Sequence, residues 1–393
     1  MLTLAVKSSW VERLKKGYPW VYTQALQTRR LPAAESGELV LLTDPNQEPF
    51  AKAYYNPHSK LACRILTRDL SQKIDEAFFI KQFTSSLARR EKLFSIPYYR
   101  LVHAEGDNLP GLVIDRFNDI LVCQTGTAGM EKLKPIWLSA LQITLKPQSI
   151  IFRDNVKNRQ NENLSSQITT LGTPLANDEL IRVNEHDLTF FADPIHGQKT
   201  GWFYDQRANR FWLRDRTKGK SVLDLYTYSG GFGISAAKGQ AKHVTFVDSS
   251  ERALTLAKKA LSHNGLSTPA EFIQEDVFSL LPSLIEQQKT FDVVLVDPPA
   301  FIKQAHQKAV GLKGYQKLAK LAVQVVAPSG IMMIATCSHH ASTNEFRDAI
   351  LQGIAKAGRP AQLIRKAGAD RDHPINPFLP ENHYLKSLTF KLD

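Results

Sequence analysis

Cysteine is scarce in this 393-residue chain. Cys63, Cys123 and Cys337 are too few for a disulfide framework, and their spacing matches no zinc site, so no metal is expected. No apolar run approaches the roughly 18 residues a membrane-spanning helix needs. The opening stretch, MLTLAVKSSWVERLKKGYPW, is interrupted by Lys7, Glu12, Arg13, Lys15 and Lys16, so no signal peptide and no membrane partner are expected. These absences point to a reducing cytoplasm. Acidic excess is missing too: 50 Lys+Arg stand against 38 Asp+Glu, a formal charge of +12. Such a balance favours polyanions, because each phosphate contact releases condensed counterions. The alternative is a basic protein whose charge only keeps it dispersed. The excess is spread along the chain, with 23 basic and 18 acidic residues in 1–180. A hydrophobic content of 43% with 22% charged residues excludes a largely disordered chain and leaves material for two or three domains.

Residues 1–70 read as short strands and turns: LVLLT (39–43), FAKAYY (50–55) and LACRILT (61–67), punctuated by Pro45-Asn46 and Asn56-Pro57. Between Trp10 and Tyr22, WVERLKKGYPWVY mixes aromatic and basic side chains, a mixture suited to bases and phosphates, although Trp10 or Trp20 taken singly suits a core. Residues 71–180 read as an α+β domain. Phe79, Phe83 and Leu87 recur every four residues in a helix over 75–94 that Asp75 caps. Three strands follow (RLVHAE, GLVIDRF, DILVCQT) with a turn at Asn118-Asp119, then a helix at 129–142 and a strand at 149–154. Residues 155–178 are polar and predict a loop or linker.

From about 181 to 393 the rhythm changes. ELIRVNEHDLTFFAD predicts a hairpin and GWFYDQRANRFWLRD a helix. Strands at 222–226, 243–248, 271–276, 292–297 and 330–337 alternate with helices starting near 232, 250, 277 and 313. This alternation indicates an α/β domain with a parallel, doubly wound sheet. Two strands, near 361–367 and 384–392, end the chain.

The first of these strands runs into Asp224-Leu225-Tyr226-Thr227-Tyr228-Ser229-Gly230-Gly231-Phe232-Gly233, a turn in which glycines let backbone approach a ligand. Two ligands compete, a dinucleotide and S-adenosylmethionine (SAM). A dinucleotide site wants a third glycine, and Ala236 stands in its place. The strand ends favour SAM. Asp248 suits ribose hydroxyls, Glu275-Asp276 suits an adenine amine, and Asp297-Pro298-Pro299-Ala300-Phe301 makes a rigid platform for a planar base. The candidate cofactor residues are therefore Asp224, Tyr226, Ser229, Gly230, Gly231, Phe232, Gly233, Asp248, Ser249, Asp276, Val277 and Asp297. Singly, each has a structural alternative, such as a helix cap for Asp248 or a small buried residue for Cys337.

The fifth strand ends in Thr336-Cys337-Ser338-His339-His340. Cytosine C5 is a poor nucleophile; a thiolate adding to C6 converts the ring into an enamine whose C5 attacks a methyl sulfonium. Cys337 and Asp297 are thus the candidate catalytic pair, while Cys63 and Cys123 lie in strand interiors and read as structural. Three other readings stay open: methylation of an exocyclic amine without a covalent step, an RNA-binding assembly factor with a vestigial pocket, and, least favoured, a dehydrogenase.

Together, GYPWVY, GDNLPGLVIDRF, GQKTGWFYDQRANR, DLYTYSGGFG, VDPPAF, TCSHH and DHP…HYLK at 372–386 resemble the bacterial 23S ribosomal RNA cytosine-C5 methyltransferases, over essentially the whole chain. The resemblance implies a PUA fold near 1–70, a middle domain, and a class I SAM-dependent methyltransferase domain. It implies a ribosomal RNA partner, a SAM pocket flanked by Asp205, Gln206 and Arg207, and Cys337 as nucleophile. Two departures stand out. IAT replaces an SCS-like run before Cys337, and a Pro-Phe-Leu-Pro stretch follows DHP on what the resemblance makes the substrate side. The oligomeric state is left open, a homodimer among the options.

Overall fold

The computed structural model describes residues 1–27, 32–156, 158–174, 176 and 179–393. The chain forms two compact units. The first comprises Met1–Ile181, Asp193–Trp202 and Arg371–Asn382; the second comprises Arg182–Ala192, Phe203–Asp370 and His383–Asp393.

The first unit begins with a five-stranded sheet in the order Leu2–Ala5, Glu38–Thr43, Pro49–Tyr55, Cys63–Thr67, Trp20–Val21. Its first pair is parallel and the rest antiparallel. The three expected strands are present. A helix at Ser8–Lys16 was not expected, because a nine-residue run with only Leu14 buried carries too little apolar period to read. It ends at Gly17 (φ 138°), where a Cβ would lie 2.2 Å from the Phe378 ring. Leu379 is 1% exposed in the same core as Leu14, Val40 and Phe50. Leu379 of the Pro-Phe-Leu-Pro stretch is therefore part of the first domain's core, while Phe378 stays 49% exposed.

The second sheet of this unit runs Gln167–Gly172, Ser149–Asp154, Ile120–Thr125, Leu112–Phe117, Tyr98–His103. Helix Glu76–Glu91 is capped by Asp75, whose carboxylate accepts from Phe78 N at 3.1 Å, and it buries Phe79 and Phe83. The helix expected at 129–142 is two, Ala128–Lys132 and Lys134–Leu145, with Pro135 in the first turn of the second. The expected linker at 155–178 is partly structured, with a helical turn at Asn158–Asn161 and the edge strand Gln167–Gly172. Every residue of that strand is exposed, so it lacks the alternation that marks a half-buried strand. Residues 157, 175, 177 and 178 of this stretch lie outside the described residues.

A hairpin of Ile181–Glu185 and Leu188–Ala192 leads into the second unit. Its helix starts only at Arg207, after a 3-10 turn at Tyr204–Gln206. The main sheet comprises β1 (Ser221–Leu225), β2 (His243–Asp248), β3 (Ala270–Gln274), β4 (Phe291–Val296), β5 (Val326–Thr336), β6 (Ala361–Ala367) and β7 (Lys386–Leu392). The order is β3-β2-β1-β4-β5-β7-β6. β7 is antiparallel to both neighbours, so the doubly wound sheet is mixed at one end.

Alternation along the strands sends residues to opposite faces. Leu223, Leu225 and Val247 pack with helices Val277–Glu286, Lys308–Gln324 and Thr343–Lys356. Phe246, pointing the other way, meets Gly233 of helix Gly231–Lys238. The helix at Thr343–Lys356 was missed in the sequence, although Ser342 and Glu345 form a full capping box. Among the described residues no helix is long and apolar enough to cross a membrane.

Candidate active site

β1 carries Asp224 to the carboxyl edge of the sheet. The chain then turns through Tyr226 (φ 61°), Tyr228 (φ 50°) and Gly230 (φ 83°) into helix Gly231–Lys238. A Cβ at Gly233 would lie 2.2 Å from the Phe246 ring, so glycine there lets the helix press on the sheet. Asp224 is 1% exposed, and its Oδ2 accepts from Thr227 Oγ1 at 2.5 Å and from Gly233 N at 2.7 Å. Burial nevertheless pushes its carboxyl up to about 7, with Asp297 and Asp248 adding like charge. Ser229 and Phe232 are buried beside it.

Two hydroxyls in this turn, Tyr226 Oη and Ser229 Oγ, are buried with no hydrogen-bond partner among the described residues. Burial, and Asp276 nearby, push the Tyr226 phenol up, so it stays a neutral donor. An unsatisfied buried hydroxyl costs about 1–3 kcal/mol, so both are groups that a polar ligand in the turn would satisfy. The residues present therefore fit a nucleoside-type cofactor.

Asp248, at the end of β2, ties the first two turns together. Its Oδ2 accepts from Tyr228 N at 2.9 Å and its Oδ1 from Ser250 N at 2.9 Å, with Ser249 exposed between them. Asp276 is different. It is the N-cap of helix Val277–Glu286, and its Oδ1 accepts from Phe278 N at 2.8 Å and Ser279 N at 3.2 Å, with Val277 buried. Capping thus occupies one oxygen of the acid expected near adenine.

Asp297 follows β4, and its Oδ2 accepts from Gln206 Nε2 at 2.9 Å. Of the Asp205-Gln206-Arg207 triplet, Gln206 thus reaches a strand-end acid. Asp205 accepts from Tyr384 Oη at 2.5 Å, and Arg207 pairs with Glu185 at 3.4 Å and Asp370 at 3.5 Å. Arg210 holds Glu185 through two bonds of 2.7 Å, which fixes the helix that presents this triplet.

Cys337 lies just past β5, half-buried. β4 and β5 are adjacent, with Val296 opposite Ile334, so Asp297 and Cys337 follow neighbouring strand ends. Tyr315, fully buried on helix Lys308–Gln324, ties the two segments. Its Oη accepts from Thr336 Oγ1 at 2.6 Å and from Phe301 N at 3.2 Å, and shares a 2.9 Å bond with Ser338 Oγ. Its ring stacks on Phe301 at 4.6 Å. A Cβ at Gly311 would lie 2.3 Å from Ile302 Cγ1, so this glycine lets the Asp-Pro-Pro loop lie against the helix. On the other side Lys386, opposite Thr336 in β7, donates from Nζ to Ser338 O at 3.0 Å. Cys63 and Cys123 are fully buried and burial pushes both thiols up, the setting of inert structural cysteines.

The Trp10–Tyr22 segment is half core and half surface. The Arg13 guanidinium stacks 3.6 Å from the Tyr18 ring centroid, and Trp10 and Tyr22 meet at 6.2 Å. Trp20, half-buried, donates from Nε1 to Glu105 at 2.8 Å.

Comparison with known proteins places this geometry. A PUA-like domain family matches residues 4–68, and the family described as "Conserved hypothetical protein 95" matches residues 207–356. The chain is 35% identical over 387 residues to ribosomal RNA large subunit methyltransferase I of Enterobacter sp. (strain 638), covering 96% of each chain. To the protein of that name from Tolumonas auensis it is 34% identical over 393 residues, covering 99% of each. The chain belongs to the ribosomal RNA large subunit methyltransferase I family. Its fold is that of a putative SAM-dependent methyltransferase from Streptococcus mutans (TM-score 0.85, 22% identity, full coverage of both chains). A putative methyltransferase complexed with SAH gives a TM-score of 0.86 at 22% identity, also over both full chains. Fold and family make SAM the cofactor, and the PUA-like domain implied for 1–70 is present.

Sequence reasoning missed two residues that the structure brings to the ends of β4 and β5, Tyr315 and Lys386. Tyr315 left only the odd spacing of Gly311 and Gly314 ahead of it in a helix. Lys386 left only its place in the HYLK stretch, because what it touches is decided by an antiparallel strand pairing.

Proposed function

We propose that this protein methylates C5 of a cytosine in large-subunit ribosomal RNA through a covalent Cys337 adduct. The observation that carries the reading is the pairing of an acid and a thiol, Asp297 and Cys337, after adjacent strand ends tied by Tyr315. RNA as substrate rests on the names of the full-length relatives, the PUA-like domain and the net charge of +12. When bound, SAM supplies an electrophilic methyl group. Tyr226, Ser229 and the Gly230–Gly233 turn would hold it, with Asp248 suited to the ribose hydroxyls and Asp276 and Val277 to the adenine. The target cytosine must leave any stack, at a cost of a few kcal/mol that is least in a loop. Asp297, oriented by Gln206, accepts from the cytosine amine or holds protonated N3. Cys337 Sγ bonds to C6, which delivers an electron pair to C5. After methylation, loss of the C5 proton expels the thiolate and restores the aromatic ring.

Trapping with RNA containing 5-fluorocytosine tests the covalent step, because fluorine at C5 cannot leave as a proton. A stable protein–RNA adduct that disappears in Cys337→Ala is expected. Full activity in Cys337→Ala, with the methyl group on an exocyclic nitrogen, would replace this reading by direct amine methylation at the Asp-Pro-Pro-Ala-Phe platform. Mapping 5-methylcytosine in ribosomal RNA with and without the protein identifies the nucleotide.

A further inference from the structure

Lys386 is 4% exposed, and its ammonium donates to a neutral carbonyl, Ser338 O, at 3.0 Å. No carboxylate lies within ion-pair distance of it among the described residues; the carboxylate with most influence on it, Glu345, is bound to Lys308 at 2.5 Å. A buried ammonium without a counter-ion is costly, by several kcal/mol after relaxation, and an apolar side chain would fill the start of β7 without that cost. The strand register says what stands beside it. Lys386 is opposite Thr336 and donates to Ser338 O, so its side chain runs along the 336–338 segment that carries Cys337.

We propose that Lys386 is a positioning residue for methyl transfer: its ammonium holds the Cys337 thiol in the ionised state and pins the 337–338 turn. The proposal rests on the reading of Cys337 as the nucleophile. A thiol is nucleophilic only as thiolate, and a neighbouring lysine is one of the settings that ionise it. The charges that surround the pair agree. Burial pushes the Lys386 amine down to about 8, and of the two groups that oppose this, Cys337 acts more strongly than Glu345. From helix Lys308–Gln324 the facing group is Tyr315, which burial keeps neutral. From the segment before β7 it is His383, which burial and Lys386 push down. His339 and His340 follow in the turn itself. The thiolate is thus the anion best placed to balance the ammonium, and the ammonium's bond to Ser338 O keeps the sulfur's backbone fixed while the charge moves onto cytosine.

The test is alkylation of the intact protein by iodoacetamide from about pH 5.5 to about pH 10, read by mass spectrometry at the Cys337 peptide. Wild type should titrate with a midpoint below the ordinary thiol value of about 8.5. Lys386→Met should raise the midpoint by about one unit, slowing alkylation and kcat about tenfold at neutral pH, with recovery of both at high pH and no change in SAM affinity. Lys386→Arg should keep most of the wild-type midpoint. Coincident midpoints in wild type and Lys386→Met would overturn the proposal. Cys63 and Cys123 report on folding, since they alkylate only if the protein opens. If Lys386→Met opens it, a wild-type midpoint at or above about 8.5 overturns the proposal, and a lower one retained in Lys386→Arg supports it. Activity in Cys337→Ala separately tests the nucleophile, so failure of that reading leaves the midpoint comparison interpretable.

Discussion

At the end of β1 the groups that hold the turn are close neighbours in the chain, and one bond across 20 residues ties that turn to β2. Asp224 binds Thr227 and Gly233, and Asp248 binds Tyr228 and Ser250. At the ends of β4 and β5, they come from afar. Phe301 and Ser338 meet at Tyr315, Asp297 is held by Gln206 from 91 residues away, and Ser338 by Lys386 from 48 residues away. The turn after β1, the candidate cofactor side, therefore needs only β1 and β2 to have paired. The thiol side exists only when helix Lys308–Gln324 and β7 have both docked. Cofactor binding should survive damage that stops the chemistry.

Four substitutions probe that division, the first three in decreasing size of effect on activity or binding. Cys337→Ala should lower methyl transfer by at least about a thousandfold while SAM affinity, measured by calorimetry, stays within about twofold of wild type. A parallel loss of SAM binding would dissolve the distinction. Asp248→Ala should do the opposite: losing charge-assisted bonds of roughly 1.5–3 kcal/mol should weaken SAM binding about 10- to 150-fold. Tyr315→Phe keeps the stack on Phe301 but removes the acceptor of Thr336 Oγ1 and Phe301 N. It should lower kcat about tenfold at unchanged KM for SAM, and stability by about 1–3 kcal/mol in urea titration.

Asp224→Asn separates local geometry from charge, because one amide oxygen can accept from both Thr227 and Gly233. The folded carboxyl sits at about 7 against an ordinary 3.8, so the group binds more protons folded than unfolded. Its stability contribution is fully present below about pH 4 and is lost as pH rises through about 7. Relative to wild type, the cofactor-free Asn variant should gain stability from about pH 4 to about pH 7 and hold it above, by up to about 4 kcal/mol. A pH-independent difference in thermal midpoints would refute the raised carboxyl.

Which parts were legible follows the same division. The strands around Asp224, Asp248 and Asp297 were readable because each is a short, mostly apolar run with an acid at or next to its end. The helix at Glu76–Glu91 was readable from Phe79, Phe83 and its Asp75 cap. The helix at Ser8–Lys16 was not, because a single buried residue makes no period, nor was the exposed strand Gln167–Gly172. The cap role of Asp276 was hidden because a strand-end acid and an N-cap are the same residue type at the same position. Tyr315 and Lys386 were hidden for another reason: the partners of a side chain 20 to 50 residues away depend on register, which composition does not encode.

The Phe378–Leu379 insertion into the first domain has a temporal meaning. Leu379 completes the core around Leu14, Val40 and Phe50, yet it is made some 300 residues after that domain's last strand, Cys63–Thr67. At about 5–20 residues per second, the N-terminal core waits roughly 15–60 s on the ribosome for its final piece. During that interval the domain is a sheet with a gap, and Gly17 presents an open notch where the Phe378 ring will sit. A nascent chain cut short anywhere before residue 379 therefore leaves this domain's core without Leu379.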